Sequence, residues 1–159
     1  MEAAAGQGRR FRLRVISPDR EILNQEVSAV KLPAHDGYLG ILYNHAPMIA
    51  LLGTGVLAAE GELPQTLPYR LGPIEIFVSN GFVQVDHNEV RVVCDAGENV
   101  DDIDLERARE AEKRARERLN QQMKADLDRP RASAALQRSM IRTMLAEKHH
   151  RRRSQPPVR

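Results

Sequence analysis

Two helix-like segments in the C-terminal third carry residues that could bind an anion. On the first, Asp104 and Arg107 are three residues apart and Arg107 and Arg114 are seven apart, so one helix face presents a carboxylate and two guanidiniums. On the second, Arg138 and Arg142 are four apart and share a face. Guanidiniums form strong, charge-assisted hydrogen bonds with phosphate oxygens. The alternative interpretation is a solvated Asp-x-x-Arg pair on a charged helix.

The sequence lacks the motifs that would indicate catalysis. It has no Gly-rich phosphate loop ending in Lys-Ser/Thr, no nucleophile elbow and no helical His-Glu pair with zinc spacing. Its single cysteine, Cys94, excludes an internal disulfide. His35, Asp36 and His45 lie in two separate turns without a further ligand, so we expect no metal site. We therefore expect binding and movement, and a small enzyme is the least favoured class.

Positive charge is concentrated at the C-terminal end. The net charge is only +2, but residues 1–100 carry 8 Lys and Arg against 12 Asp and Glu, whereas residues 129–159 carry 9 against 1. An anionic partner is therefore expected at this end. No apolar run approaches the roughly 20 residues that span a bilayer, and the N-terminus lacks the apolar core of a secretory signal, so we expect a soluble or peripheral protein.

Short alternating segments precede the helices. Phe11, Leu13 and Val15 alternate with other residues as in a half-buried strand. Similar runs recur at spacings near ten residues, which favours an antiparallel sandwich or barrel. Asn80-Gly81 predicts a tight hairpin, because both residues tolerate positive φ. The further predicted strands are 21–23, 27–32, 48–52, 55–59, 69–78, 81–85 and 90–95.

Around residue 100 the apolar period changes to that of a helix. Asp101 and Asp102 are N-cap candidates, and the segment 124–130 interrupts the helical pattern before a second helix from about 131 to 148. Small alanines on the first helix allow the two to pack closely. The predicted apolar positions are Leu105, Ala108, Ala111, Ala115 and Leu119 on the first helix, and Ala135, Leu136, Met140, Ile141, Met144 and Leu145 on the second.

These patterns together predict a β + α architecture. A flexible leader at 1–10 is followed by an N-terminal antiparallel β-sandwich at 11–98. A C-terminal two-helix antiparallel hairpin at 99–148 comes next, and a basic disordered tail at 149–159 ends the chain.

The stretch 33–47 resembles the signature of the ε subunit of F-type ATP synthases, the counterpart of the mitochondrial δ subunit. It reads Pro-Ala-His-Asp-Gly-Tyr-Leu-Gly-Ile-Leu-Tyr-Asn-His-Ala-Pro, which is a turn, a short strand and a second turn. Ser79-Asn80-Gly81-Phe82 is a second local match, with Asn80 where the family has glycine, and Tyr43 stands where the family commonly has proline. The resemblance covers about residues 11–147 and implies a sandwich of about ten strands followed by two helices.

The resemblance implies a non-catalytic subunit of the central stalk, peripheral at the cytoplasmic face of the bacterial inner membrane. The sandwich would bind the γ subunit and the c-ring, coupling ring rotation to the catalytic head. The helices would switch between a folded state, favoured by ATP, and an extended state that enters the α/β hexamer and blocks hydrolysis.

Interface residues follow from the same resemblance. The first loop region would lie near the stalk and the ring, through Asp36, Gly37, Gly40 and His45. The basic run would meet an acidic segment of the β subunits, through Arg151, Arg152 and Arg153. The structural alternative for this run is favourable positive charge at a helix C-terminus.

A third match concerns nucleotide binding. Ile103, Asp104, Arg107 and Ala108 fit the Ile/Leu-Asp-x-x-Arg-Ala motif with which several bacterial ε subunits bind ATP. By this resemblance Asp104 would contact the adenine amino group, the arginines would bind phosphates, and Glu98 would be a further adenine contact. Arg114, Arg138 and Arg142 would complete the site. No cofactor is required, and ATP would be a regulatory ligand.

The rival interpretation from another class is a small nucleic-acid-binding β-domain with a basic helical tail. The C-terminal charge supports it. The acidic β-domain and the lack of exposed aromatic residues spaced for base stacking argue against it. We therefore expect no nucleic-acid partner.

Overall fold

The computed structural model describes residues 9–61, 73–122 and 129–154. Most of the predicted leader, the start of the predicted strand 69–78, most of the predicted break at 124–130 and the end of the predicted tail lie outside these residues. The elements are β1 (Phe11–Ile16), β2 (Glu21–Ala34), β3 (Gly37–Leu42), β4 (Met48–Leu51), β5 (Gly55–Gly61), β6 (Ile74–Asp86), β7 (Glu89–Asn99), a 3-10 turn (Val100–Asp102), α1 (Leu105–Gln122) and α2 (Arg129–Ser154).

The strands form a closed β-sandwich with a helical hairpin after it. The order β1-β7-β6-β5-β2 closes on itself because β2 also pairs with β1, while β3 extends β2 and β4 pairs with β6. Every pairing is antiparallel except that of β1 with β7, which is parallel. The predicted sandwich followed by a two-helix hairpin is therefore confirmed, with one parallel pair added.

Long strands replace several of the short ones that were predicted. The runs 21–23 and 27–32 belong to one strand, β2, and the described part of 69–78 joins 81–85 in β6. Each long strand changes neighbours along its length: β6 pairs with β5 before residue 80 and with β4 after it. The described residues thus form seven strands, fewer than the resemblance implied, because runs that look separate in sequence belong to single long strands.

Asn80 and Gly81 form a bend inside β6, so the predicted hairpin at this position is wrong. Their φ angles are 49° and 113°, yet the register of β6 against β7 is continuous across them. A Cβ on Gly81 would approach the Val93 carbonyl oxygen to 2.0 Å, so only glycine fits. The β6–β7 hairpin turns instead at His87 and Asn88, whose φ angles of 45° and 58° suit a type I′ turn.

The sandwich core comes from the inward positions of the alternating strands. Phe11, Leu13 and Val15 are at most 2% exposed, as their alternation predicted. Each fully buried side chain of this size stabilises the fold by about 1.5–3 kcal/mol. A second apolar cluster joins the hairpin to the sandwich. It contains Phe77, Val100 and Leu145, with Val56, Ile103 and Ile141 packed against it.

Both helices differ from the prediction at one end. The N-cap of α1 is Asp104, whose Oδ1 accepts a hydrogen bond from the Arg107 backbone N–H at 3.0 Å. The predicted caps Asp101 and Asp102 lie instead in the 3-10 turn, where Asp102 pairs with Arg20 at 2.9 Å. The helix α2 continues to Ser154, so residues 149–154 are helical and that part of the predicted disordered tail is wrong.

Small side chains form much of the buried face of α2. Met140 and Met144, predicted to be buried, are 46% and 57% exposed, whereas Ser139 and Thr143 are 5% and 8% exposed. Both hydroxyls donate to backbone carbonyls within the helix, at 2.8 and 3.1 Å, so their burial leaves no unsatisfied donor. Their small size allows neighbouring parts of the chain to approach α2 closely at these two positions. No described helix is long and apolar enough to cross a bilayer.

Candidate functional site

A basic groove runs between α1 and α2. Its volume is about 410 Å³, within the range of small-molecule sites. Among the described residues that line it, five are arginines, the others are alanines and one serine, and none is acidic. The lining residues are Ala111, Arg114, Ala115, Arg118, Arg131, Ala132, Ala135, Arg138, Ser139 and Arg142. This arrangement creates a positive potential and offers guanidinium donors, which bind phosphate oxygens by charge-assisted hydrogen bonds.

Three of the predicted ligand contacts line this groove, and two further arginines were missed. Arg114, Arg138 and Arg142 were predicted. Arg118 and Arg131 were not, although Arg118 follows Arg114 by four residues and Arg131 precedes Arg138 by seven, so each pair shares a helix face. That spacing was the signal that could have found them.

The other predicted contacts lie outside the groove. Asp104 caps α1, Ala108 is buried at 6% exposure, and Ile103 packs in the apolar cluster at the sandwich. Arg107 is exposed near the start of α1. Asp104 lies seven residues before Ala111, or about 10 Å along the helix axis. The structure therefore divides the predicted set between the start of α1 and the groove.

Arg142 connects the groove to the sandwich. Its Nη2 lies 2.9 Å from Glu98 Oε1 and its Nε 3.2 Å from Oε2, which makes a bidentate ion pair. Its Cζ also lies 4.3 Å from the centre of the Phe77 ring. Both contacts favour one orientation of the guanidinium. Glu98, predicted as an adenine contact, is thus engaged with Arg142.

The last turns of α2 are bound to the sandwich by charge. Glu75, on β6, is 6% exposed and accepts hydrogen bonds from Lys148 at 2.5 Å and from Arg152 at 3.4 Å. His149 Nε2 lies 2.9 Å from Asp101 Oδ1. Arg152, a predicted hexamer contact, therefore lies on the sandwich in this folded state. We call Glu75, Lys148 and Arg152 the C-terminal latch.

Two side chains, Arg109 and Cys94, have shifted pKa values. The hydrogen bond from Arg109 to Glu147, at 2.9 Å, raises the pKa of the Arg109 guanidinium and joins α1 to α2. Burial raises the pKa of the Cys94 thiol to about 11, so the thiol is protonated and unreactive at neutral pH. In the described ranges, no three His, Cys, Asp or Glu side chains come together as metal ligands.

The predicted rotor contacts lie on exposed turns and on β3. Asp36 lies in the β2–β3 turn, and Gly37, which has a φ of 138°, begins β3 directly after it. A Cβ on Gly40 would meet nothing within 4 Å, so this position faces open space. His45 Nδ1 lies 2.9 Å from the Ala46 carbonyl oxygen. The structure places these four residues at the surface of the sandwich, apart from the groove.

Exposed apolar side chains accompany these turns. Tyr38 and Leu42, on the outward side of β3, are 60% and 64% exposed. On β4, Ile49 and Leu51 are 73% and 66% exposed, and Leu51 pairs across the sheet with the half-exposed Phe82. Sequence reasoning did not predict this exposure of aromatic residues. The signal was that β3 and β4 are apolar at successive positions, so that both faces of each strand need a partner.

Comparison with known proteins gives the family. Residues 10–100 match the family model for the ATP synthase, Delta/Epsilon chain, beta-sandwich domain, and residues 101–147 match that for the ATP synthase, Delta/Epsilon chain, long alpha-helix domain. The ATP synthase epsilon chain of Symbiobacterium thermophilum is 43% identical over 135 residues, which cover 84% of this chain and 91% of that one. The epsilon chain of Nitratidesulfovibrio vulgaris is 37% identical over 132 residues, covering 82% and 90%.

The fold agrees with a solved structure of low sequence identity. A chain in the cryo-EM structure of Euglena gracilis mitochondrial ATP synthase, OSCP/F1/c-ring in rotational state 1, superposes with a TM-score of 0.69 at 23% identity, covering 94% of this chain and 89% of that one. Fold and site together define a β-sandwich protein whose helical hairpin forms a basic groove open to solvent. The chain belongs to the delta/epsilon chain family of ATP synthases, and the resemblance noted in the sequence is confirmed.

Proposed function

We propose that this chain is a non-catalytic central-stalk subunit of a bacterial ATP synthase, peripheral at the cytoplasmic face of the inner membrane. Family membership supports the proposal. The observation that carries it is the two-part architecture. A closed sandwich with a fully buried core exposes apolar side chains, and a hairpin is attached to it by one small apolar cluster and a set of ion pairs. The first part suits attachment to a rotor, and the second suits regulation.

The sandwich provides the rotor contacts in this proposal. Exposed apolar patches on a soluble domain mark interaction surfaces, and Ile49, Leu51 and Phe82 form one such patch on β4 and β6. This patch would bind the γ subunit. The β2–β3 turn with Asp36 and Gly37 would face the c-ring. Rotation of the ring would thereby be coupled to the catalytic head.

The hairpin provides regulation in this proposal. The folded state is held by the α1–α2 contact, the Arg142–Glu98 pair and the C-terminal latch. In an extended state, α2 would enter the α/β hexamer and inhibit hydrolysis. Arg151, Arg152 and Arg153 would then contact an acidic segment of the β subunits. Because Glu75 binds Arg152 in the folded state, that segment would compete with Glu75 for the same guanidinium.

Deletion of residues 132–159 tests the regulatory role. We expect ATP hydrolysis by the assembled enzyme to rise severalfold while coupled assembly remains intact, because the sandwich contains the proposed rotor contacts. Hydrolysis and subunit composition of the purified synthase are the measurements. A chain that ends at residue 154 retains all of α2 and is the matched control. Unchanged hydrolysis after the larger deletion would refute inhibition by the helices.

ATP is the proposed regulatory ligand of the folded state. Its phosphates would lie in the basic groove, against Arg114, Arg138 and Arg142, and its adenine would lie toward Asp104 and Arg107. A ligand that bridges both helices favours the folded state by its differential affinity for the two states.

Calorimetric titration of the full chain with ATP tests this assignment. We expect Arg138→Gln, in the groove, and Arg107→Ala, at the start of α1, each to weaken ATP binding about tenfold, the loss typical of one charge-assisted hydrogen bond. Arg116→Gln is the control, because Arg116 is exposed, pairs with Glu112 and does not line the groove. Equal affinities for all four proteins would contradict the assignment.

A further inference from the structure

Asn88 lies at a point where three strands meet. It is the second loop residue of the β6–β7 hairpin, directly before Glu89 at the start of β7. Its backbone carbonyl oxygen accepts a hydrogen bond from the Arg12 backbone N–H at 2.9 Å, which joins the hairpin to β1. The paired residues Asp86 and Glu89 close the hairpin itself. The backbone of Asn88 is therefore held from two sides.

The side chain of Asn88 contacts a different part of the sandwich. Its Oδ1 accepts a hydrogen bond from the Asn44 backbone N–H at 2.7 Å, across 44 residues of sequence. Asn44 lies in the turn between β3 and β4, where it is exposed and has a φ of 61°. Within this turn, the His45 N–H donates to the Leu42 carbonyl oxygen at 3.2 Å. The Asn88 side chain therefore connects the β3–β4 turn to the β6–β7 hairpin.

Backbone conformation alone does not explain an asparagine at position 88. The second loop position of a type I′ turn requires positive φ, which glycine adopts with the least strain. Asn88 has a φ of 58° and brings an amide oxygen that glycine lacks. Its hydrogen bond to Asn44 is exposed, so water could accept from the same N–H at little cost in stability. The contact thus serves to fix the direction of an exposed turn.

The turn that Asn88 holds leads directly into His45. The His45 side chain is half-buried, and its Nδ1 donates to the Ala46 carbonyl oxygen at 2.9 Å, because a carbonyl oxygen can only accept. This bond makes Nε2 the acceptor of the neutral imidazole. Because the imidazole is bound to its own backbone, the path of residues 42–46 decides where Nε2 points.

We infer that Asn88 is a positioning residue of the rotor contact: it fixes the β3–β4 turn and thereby orients His45. Its role in the rotor contact rests on the proposed function, in which His45 faces the γ subunit and the c-ring. Its hold on the turn is a property of the chain alone. Separate measurements therefore test the two parts.

Three substitutions isolate the side-chain acceptor. Asn88→Gly keeps the backbone conformation and removes the amide oxygen. Asn88→Asp keeps an oxygen that can accept from Asn44, and aspartate also tolerates positive φ. Asn80→Gly is the matched control: Asn80 has a φ of 49° and lies toward the Leu51 end of β4, away from the turn. Urea unfolding of the full chain checks that all three variants fold with an unchanged midpoint.

Solvent exchange of individual backbone amides, resolved by NMR on the full chain, tests the hold on the turn. In Asn88→Gly the Asn44 amide should exchange about tenfold faster, the effect of one lost hydrogen bond. Asn88→Asp should restore slow exchange, and Asn80→Gly should leave the Asn44 amide unchanged. Equal exchange in the wild type and Asn88→Gly, or equally fast exchange in both Asn88 variants, would overturn the inference.

Rebinding of the full chain to a synthase from which it has been removed tests the orientation of His45. We expect His45→Ala and Asn88→Gly each to weaken rebinding about tenfold, and Asn88→Asp to rebind like the wild type. The double variant of His45→Ala with Asn88→Gly should lose no more than His45→Ala alone, because Asn88 acts through His45. Additive losses would refute the positioning role.

The two measurements separate this role from the proposed function. If the Asn44 amide responds as expected but His45→Ala rebinds normally, His45 is refuted as a rotor contact, and the role of Asn88 in that contact is refuted with it. The hold on the turn then stands. If His45→Ala weakens rebinding and Asn88→Gly does not, the rotor contact stands and Asn88 does not position it.

Discussion

Arg142 contacts both parts of the molecule. Its guanidinium lines the groove, pairs with Glu98 of β7 and lies over the Phe77 ring of β6. An anion in the groove and the carboxylate of Glu98 therefore act on the same charged group. A bound anion would share the guanidinium with Glu98, because a guanidinium carries five donors and Glu98 accepts from only two of its nitrogens. Ligand binding in the groove and the attachment of α2 to the sandwich are thus expected to be coupled through Arg142.

At the residue scale, the buried thiol of Cys94 should make the stability of the fold depend on pH. Burial raises the pKa of its thiol from an ordinary 9.0 to about 11. Between these values the unfolded thiol loses its proton and the folded one keeps it. The free energy of unfolding should therefore fall as pH rises from about 9 to about 11, by up to about 2–3 kcal/mol, and this thiol should add no pH dependence to stability well below pH 9.

Urea unfolding of the wild type and of Cys94→Ala across this range measures the effect. The variant lacks the thiol, so the difference in unfolding free energy between the two proteins should shrink above pH 9. Subtraction removes the contribution of lysines and tyrosines that titrate in the same range. Two parallel pH curves would show that the thiol does not carry the expected dependence.

At the element scale, the end of α2 is held by the C-terminal latch. The family models end at residue 147, and the latch cations Lys148 and Arg152 lie beyond it. Glu75 is only 6% exposed. A buried carboxylate destabilises a fold unless cations pair with it, and Lys148 and Arg152 provide that pairing. The C-terminal latch is therefore a contact between α2 and the sandwich that lies beyond the residues matched by the family models.

Glu75→Gln is predicted to loosen the last turns of α2. It removes the buried charge while Lys148 and Arg152, both about half exposed, can turn to solvent. We expect amide hydrogen exchange near residues 145–152 to rise about tenfold, as loss of a charged hydrogen bond allows, with the sandwich core unaffected. Glu26→Gln, at the exposed pair with Arg12, is the control and should leave α2 unchanged. Unaltered exchange in Glu75→Gln would mean that the latch does not hold the helix.

At the scale of the whole molecule, one surface of the sandwich is covered by the helices and another remains open. The hairpin covers Phe77, on β6, whereas Ile49 and Leu51 of β4 stay exposed. The rotor contacts and the switching helices of the proposed function therefore occupy different sides of the described fold. A stable sandwich could remain attached to its partners while the helices change position.

Leu51→Asp is predicted to separate folding from assembly. Because Leu51 is 66% exposed, the unfolding free energy of the isolated chain should change by less than about 0.5 kcal/mol. Co-purification with the γ subunit and the c-ring should nevertheless fall sharply, since a charge would be buried in the apolar contact. Met144→Asp, which is 57% exposed on α2, is the matched control and should co-purify normally. Normal assembly of Leu51→Asp would refute this surface as the rotor contact.

The sequence by itself determined the class of fold and the family. Alternation in the first hundred residues, the change of period near residue 100 and the alanine stripe of α1 are local patterns, and local patterns follow from the geometry of single strands and helices. The 33–47 signature and the Asp104 motif are local as well. For the same reason the spacing of Arg114, Arg138 and Arg142 was enough to place them on helix faces.

Only the tertiary structure decided which faces meet. It merged short runs into β2 and β6, buried Ser139 and Thr143 in place of Met140 and Met144, and brought Arg118 and Arg131 into one groove. It also paired Glu75 with cations 73 and 77 residues away. These outcomes depend on the distance between backbones and on the partner across each contact. Neither quantity is contained in the spacing of residues along one element.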